Sequence, residues 1–216
     1  MTNDMQPRPG LGLQVCGRAA AAGTPDVVRI RVGVSALRPT VAEALAVADA
    51  AARQVRAALA ARGVAGKDAA TASLTVGAEQ VWDPNGVPRP TGYRADQELA
   101  VTTRDVAGLG TLLGEVLAAA GDEVRLNGLQ FEVEDDTTLR VLARQGAWAD
   151  ALARATQLAG LAGRSLGPVL DLVEEAGYGG GPGPVLRAAA AKEADLSVDP
   201  GSVAVEVSLT VRWALD

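Results

Sequence analysis

Residues 203–213 constrain the fold more than any other stretch of the chain. Val203, Val205, Val207, Leu209, Val211 and Trp213 occupy every second position, and Ala204, Glu206, Ser208, Thr210 and Arg212 fill the positions between. Period two over this length predicts a strand with one apolar and one polar face. Val28, Ile30, Val32, Val34 and Ala36 repeat the pattern opposite Arg29, Arg31 and Ser35. Leu11, Leu13 and Val15 do the same against Gly12, Gln14 and Cys16. Strands of this kind belong to antiparallel sheets that are wet on one side and packed on the other. The last two runs are joined by the turn residues Thr24-Pro25-Asp26 and are expected to pair as a hairpin.

Helical spacing separates the strands. Thr40 and Glu43 form a T-x-x-E capping box, and Val41, Leu45, Ala48, Ala52, Val55 and Leu59 follow at steps of three and four, ending at Gly63. A second helix is expected from about Val106 to Ala120, with Leu109, Leu112, Leu113, Val116 and Leu117 on its apolar side and Gly121 as its stop. A third starts at Asp135 or Asp136 and runs to about Ala162. Its Ala147, Ala151, Ala155 and Ala159 lie four apart, a smooth ridge that lets another backbone approach closely.

Between the helices, Leu74, Val76 and Ala78 mark a strand, Asp83-Pro84-Asn85-Gly86 a turn, and Tyr93, Ala95, Leu99 and Val101 one face of the returning strand. The apolar phase slips from Val124 and Leu126 to Leu129, Phe131 and Val133, which predicts a bulge at Asn127-Gly128. Val169 to Val173 form a further short strand. The order of elements reads as an α+β fold of largely antiparallel sheets packed against three main helices. Residues 1–10 are expected to be a flexible tail and 11–216 one domain, with room for two subdomains. Gly177-Tyr178-Gly179-Gly180-Gly181-Pro182-Gly183-Pro184 opens a stretch to 199 expected to be a mobile loop.

Composition removes whole function classes. The chain of 216 residues has no histidine, so a Ser-His-Asp triad, a Cys-His pair and a histidine metal ligand are all excluded. Cys16 is the sole cysteine, so no disulfide forms within the chain. A net charge of −6 and a pI near 4.8 lack the basic stripe that phosphate neutralisation needs, which argues against a nucleic-acid partner. Apolar runs are broken by charge well before the roughly 18 residues that a membrane span requires. Met1 to Pro9 carry no basic segment leading into an apolar one, and the expected location is cytoplasmic.

The candidate sites are few. The 177–184 glycine run lacks the Lys-Ser/Thr of a P-loop, and its prolines remove backbone donors. Glu132, Glu134, Asp135 and Asp136 form an acidic cluster without the spacing of a calcium loop; alternate strand residues followed by helix caps account for it. Cys16 reads as a small half-buried residue. Arg29, Arg31 and Arg94 share strand faces that would suit an anion, and equally a solvated face or an oligomer contact. Trp82, Tyr93 and Trp148 are costly in a chain with 3% aromatics and are the positions to inspect for an interface. No catalytic, cofactor-binding or metal-ligating residue is assigned, and no cofactor is implied.

Several short motifs, taken in order, resemble the SIMPL-domain family. Thr24-Pro25-Asp26-Val27-Val28-Arg29-Ile30 followed by Val34 is similar to its opening strand, and Pro39-Thr40-Val41-Ala42-Glu43-Ala44 to its first helix start. Thr91-Gly92-Tyr93-Arg94-Ala95, Asn127-Gly128-Leu129-Gln130-Phe131, the alanine-ridged stretch from Ala147 to Gly167, and the closing strand from Pro200 match in turn. The resemblance implies an α+β fold and assembly into homo-oligomers of hollow, channel-like shape. It brings no established catalytic residues. It implies a non-enzymatic oligomeric scaffold or binding protein, linked in the family to oxidative-stress defence. The alternative reading is a small-molecule or anion-binding protein, or an enzyme, with a carboxylate and arginine pocket. Most bacterial members are exported, a departure from the location expected here.

Overall fold

The computed structural model describes residues 12–64, 66–82, 86, 88–175 and 200–216. The tail expected over 1–10, the loop expected over 177–199, and Asp83, Pro84 and Asn85 of the expected turn lie outside the described residues. In chain order the elements are β1 (Gly12–Gly23), β2 (Val27–Arg38), α1 (Val41–Ala61), β3 (Ala69–Trp82), β4 (Pro88–Thr103), α2 (Leu109–Ala120), β5 (Val124–Glu132), α3 (Thr137–Leu161), β6 (Leu166–Glu175) and β7 (Val203–Leu215). This is the α+β class read from the sequence, with three α-helices on antiparallel sheets among the described residues. Contacts divide it into two compact units, one holding β1, α3, β6 and β7 and the other residues 25–134.

The first unit is a three-stranded antiparallel sheet in the order β1-β7-β6 with α3 laid on one face. The hairpin expected between the first two strands does not form. β1 pairs instead along its whole length with β7, from Gly12 opposite Ala214 to Gly23 opposite Val203. Packing decides this. Alternation specifies which face of a strand is buried but not which strand lies beside it, and the small residues Gly17 and Ala19 of β1 lie close against α3.

That ridge is longer than the sequence suggested. Ala143, Ala147, Ala151, Ala155 and Ala159 are each no more than 1% exposed, and the first four pack on Val15, Val207, Leu209, Val211 and Trp213. Gly17 lies beneath it. A Cβ on Gly17 would collide with the Ala147 carbonyl oxygen and come within 2.6 Å of the Ala151 Cβ. Glycine and alanine therefore set the helix-to-sheet distance together. The helix ends at Gly163, whose φ of 68° is ordinary only for glycine.

The second unit is a four-stranded antiparallel sheet in the order β3-β4-β2-β5, with α1 and α2 covering one face. β2 is central, and its Val28, Ile30, Val32, Val34 and Ala36 are all buried, as the alternation predicts. The Thr40 hydroxyl accepts from the Glu43 N–H at 3.2 Å and caps α1. The buried stripe of α1 is Ala44, Ala48, Ala51, Ala52, Val55 and Leu59. Val41 and Leu45, expected inside, lie instead on an exposed flank and at the margin. Ala44 and Ala48 seat the helix directly on Ala36 and Ala95, which turns the larger residues outward. The bulge falls where it was predicted: Arg31 opposes Gly128 and Val32 opposes Leu126, leaving Asn127 as the extra residue.

Two substitutions test the close approach of α3. Ala151→Leu adds three carbons where there is no space and is expected to destabilise by about 1–3 kcal/mol, the usual range for overpacking. Gly17→Ala is expected to cost at least as much, because its new atom meets backbone. Urea unfolding followed by circular dichroism measures both; unchanged midpoints would mean that the helix and sheet are not held at this distance.

Candidate functional site

The face of the second unit's sheet opposite its helices carries the arginines read as a candidate anion site. The register of β2 with β4 puts Arg29, Arg31 and Ser35 on the same face as Glu98 and Arg94. Each of the three candidate arginines has a carboxylate partner, whereas Arg125 on the same face donates to the backbone carbonyls of Asp122 and Val124. Arg29 Nε donates to Glu132 Oε2 at 2.5 Å, and Arg31 Nη1 reaches Glu98 Oε1 at 3.5 Å. Arg94 is held by a two-pronged bond to Glu79, with Nε to Oε2 at 2.7 Å and Nη2 to Oε1 at 3.0 Å, while its Nη1 donates to Ser35 Oγ at 3.1 Å. Arg94 opposes Leu37, six residues along β2 from Arg31, a distance of roughly 20 Å at the rise of a strand. These groups form a ladder of ion pairs rather than a convergent pocket.

Electrostatics follow from the pairing. The hydrogen bonds from Arg94 hold the Glu79 carboxyl below its ordinary value. The same holds for Glu134, bound by Arg104, and for Glu115, bound by Arg62. The acidic cluster is dispersed among separate tasks. Glu132 pairs with Arg29, Glu134 with Arg104, and Asp136 with Arg140, whose Nε donates to it at 2.8 Å. Asp135 Oδ1 accepts the Thr137 N–H at 3.0 Å at the start of α3, and hydrogen bonds from Thr137 keep its carboxyl low.

A groove of about 380 Å³ runs along α1 on the opposite face, lined by Leu45, Ala46, Ala48, Asp49, Leu74 and Gln97. Leu74 and Val76 on β3 stay exposed beside it, at 56% and 39%. Sequence reasoning missed this groove, because the spacing of Leu74 and Val76 marks a strand without marking it as an edge. Of the aromatic candidates, Trp82 at the end of β3 is 68% exposed and Tyr93 of β4 is partly exposed. Trp148 of α3, in the first unit, stacks at a tilt of 44° on the buried Trp213, with ring centroids 6.0 Å apart. Elsewhere in the same unit, Val141, Leu142 and Leu152 of α3 and Val169, Leu170, Leu172 and Val173 of β6 remain exposed.

Cys16 is half-buried, as expected, but its setting was not legible. Its Sγ lies 3.2 Å from the Ser208 hydroxyl, a residue 192 positions away on β7. That hydrogen bond is the main reason the thiol pKa falls below its ordinary value, with Arg18 adding to it against desolvation. Among the described residues, no group of three or more His, Cys, Asp or Glu converges to hold a metal ion, and no helix is long and apolar enough to cross a membrane.

Comparison with known proteins places these features in context. The family model SIMPL, described as a protein of unknown function (DUF541), matches residues 13–213. The 26 kDa periplasmic immunogenic protein of Brucella melitensis biotype 1 is 28% identical over 178 residues, which is 80% of this chain and 69% of that protein. The protein of the same name from Brucella abortus matches to the same extent.

Two pH experiments follow from the pairings. Glu79 is depressed in the folded state, so its contribution is present above its unfolded value near 4.5 and is lost as the pH falls through the lower folded value. Glu79→Gln is therefore expected to lower the unfolding midpoint at neutral pH and to flatten its decline below about pH 4.5. Thermal melts between pH 3 and 7 measure this, and parallel curves for both proteins would contradict it. Ser208→Ala removes the largest influence on the Cys16 thiol and is expected to move its alkylation profile to higher pH. Iodoacetamide rates across pH 6–10 give the readout, and an unmoved profile would contradict the assignment.

Proposed function

The chain belongs to the SIMPL family, and from that premise we propose that it is a non-enzymatic protein acting as a homo-oligomeric scaffold or binding protein. The observation that carries the reading is the amount of large apolar surface left open on each unit. Trp82, Leu74 and Val76 are exposed on the second unit, and Leu142, Leu152, Leu170 and Leu172 on the first. Open apolar surface of this kind marks protein contacts. The arginines, by contrast, are engaged by carboxylates, which weakens the case for an anion ligand. The groove beside Leu45 and Leu74 supports the second reading, a small-molecule binder, since a ligand that fills it raises the melting temperature of the folded state.

The link to oxidative-stress defence rests on the family resemblance alone and is part of the proposal. Deletion of the gene and growth under peroxide, with rescue by the intact chain, tests it. The cytoplasmic location expected from the sequence stands against the word periplasmic in the relatives' name, and cell fractionation separates the two. For assembly itself, light scattering at micromolar concentration is expected to give one defined mass above that of a single chain. A strictly monomeric protein would sink the reading.

A further inference from the structure

The described residues leave four sheet edges, and three of them are obstructed. On β1 the outward backbone is already occupied by α3. The Arg18 N–H donates to Asp150 Oδ2 at 2.9 Å, and Arg154 Nη1 donates to the Cys16 carbonyl at 3.1 Å. On β5 the bulge at Asn127 breaks the register. β6 contains Pro168, register shifts between Leu166 and Asp171, and the carboxylates of Asp171, Glu174 and Glu175. Covering contacts, bulges, prolines and charges are the devices by which edge strands avoid pairing with another chain.

β3 has no bulge, no proline and no unpaired charge over residues 73–79. Its register with β4 is unbroken from Ser73 opposite Glu98 to Glu79 opposite Gly92. No charged residue occurs from Ala69 to Ala78, and Glu79 is neutralised by Arg94. Leu74 and Val76 project, exposed, on the side that carries α1 and the groove.

We infer that residues 73–79 of β3 pair antiparallel with the same residues of a second copy, about a two-fold axis through Val76. The inference rests on the homo-oligomer reading and names one of its surfaces. Self-complementarity carries it. Residues directly opposed in an antiparallel pair share a face. In this register Val76 meets the partner's Val76, Leu74 meets the partner's Ala78, and Ser73 meets the partner's Glu79. No like charges are opposed, and the apolar side chains of both strands gather on the α1 side. Two four-stranded sheets become one, and the two-fold closes the contact. β6 offers no comparable stretch, because its register with β7 is broken between Leu166 and Asp171 and it carries three carboxylates, of which Glu174 is paired with Arg144.

Cross-linking tests the register directly. In a Cys16→Ser background, Val76→Cys places two Cα atoms about 4.5–5.5 Å apart across the two-fold, within disulfide range. A covalent dimer is expected on mild oxidation. Gly77→Cys, which would face the partner's Thr75 and has open space around it, is expected to give far less. Val76→Lys opposes two like charges and is expected to cut the mass in solution at least twofold with circular dichroism unchanged. Val173→Lys on β6 is expected to leave the mass as it is. If the native chain is oligomeric and Val76→Cys cross-links no better than Gly77→Cys, this register is overturned and the oligomer reading survives. If the native chain is monomeric at micromolar concentration, both fall.

Discussion

The contact on which the first unit depends is the seating of α3 on β1 and β7. An alanine ridge has little surface to bury per residue, so its contribution comes from proximity: Gly17 lies directly against Ala147 and Ala151, and Gly146 against Ala19, with no room for a further Cβ. Trp213 then supplies the large side chain that the ridge lacks, buried in the same cluster and covered by Trp148. Small residues set the spacing and one aromatic pair fills what remains. A chain with 3% aromatics and many alanines thereby still forms a dense core.

This geometry has a consequence for assembly of the chain itself. β1 finds its partner at the far end of the sequence, with Gly12 opposite Ala214, while β2 to β5 pair among themselves within residues 27–132. The second unit thus has mostly shorter-range contacts, and the first closes only when β7 is present. Loop closure over such a span is costly to reach and is repaid only by the packing against α3. Pairing β1 with β7 therefore brackets more chain than any pairing within the second unit.

Much of the fold was legible from side-chain periodicity, because burial on one face leaves a mark at every second or every third and fourth residue. The bulge at Asn127, the cap at Thr40, the ridge from Ala147 to Ala159 and the closing strand all carry such marks. What was not legible depends on partners distant in sequence. Nothing in residues 12–23 states that β7 lies beside them, and the requirement for Gly17 emerges only with Ala147 and Ala151 in place. The stripe of α1 turned because Ala36 and Ala95, on two other elements, accept Ala44 and Ala48 closely. Ser208 beside Cys16 is the same kind of fact. Among the candidate site residues, the arginines were placed on the correct strand faces, but their carboxylate partners Glu79, Glu98 and Glu132 come from other strands and became visible only with the register.

Those carboxylates determine what the open sheet face does. Unpaired, Arg29, Arg31 and Arg94 would make a cationic surface on an acidic protein; paired, they make a nearly neutral one that is hydrogen-bonded across strands. Exposed ion pairs of this kind contribute little stability one by one. Their shared effect is to cancel most of the charge that Arg29, Arg31 and Arg94 would otherwise turn to solvent and to link neighbouring strands. Neutrality also extends to the sheet edge, where Arg94 satisfies Glu79 at the end of the one straight stretch of β3. With Glu79 paired in this way, the straight stretch of β3 exposes backbone hydrogen-bonding groups and the apolar side chains Leu74 and Val76.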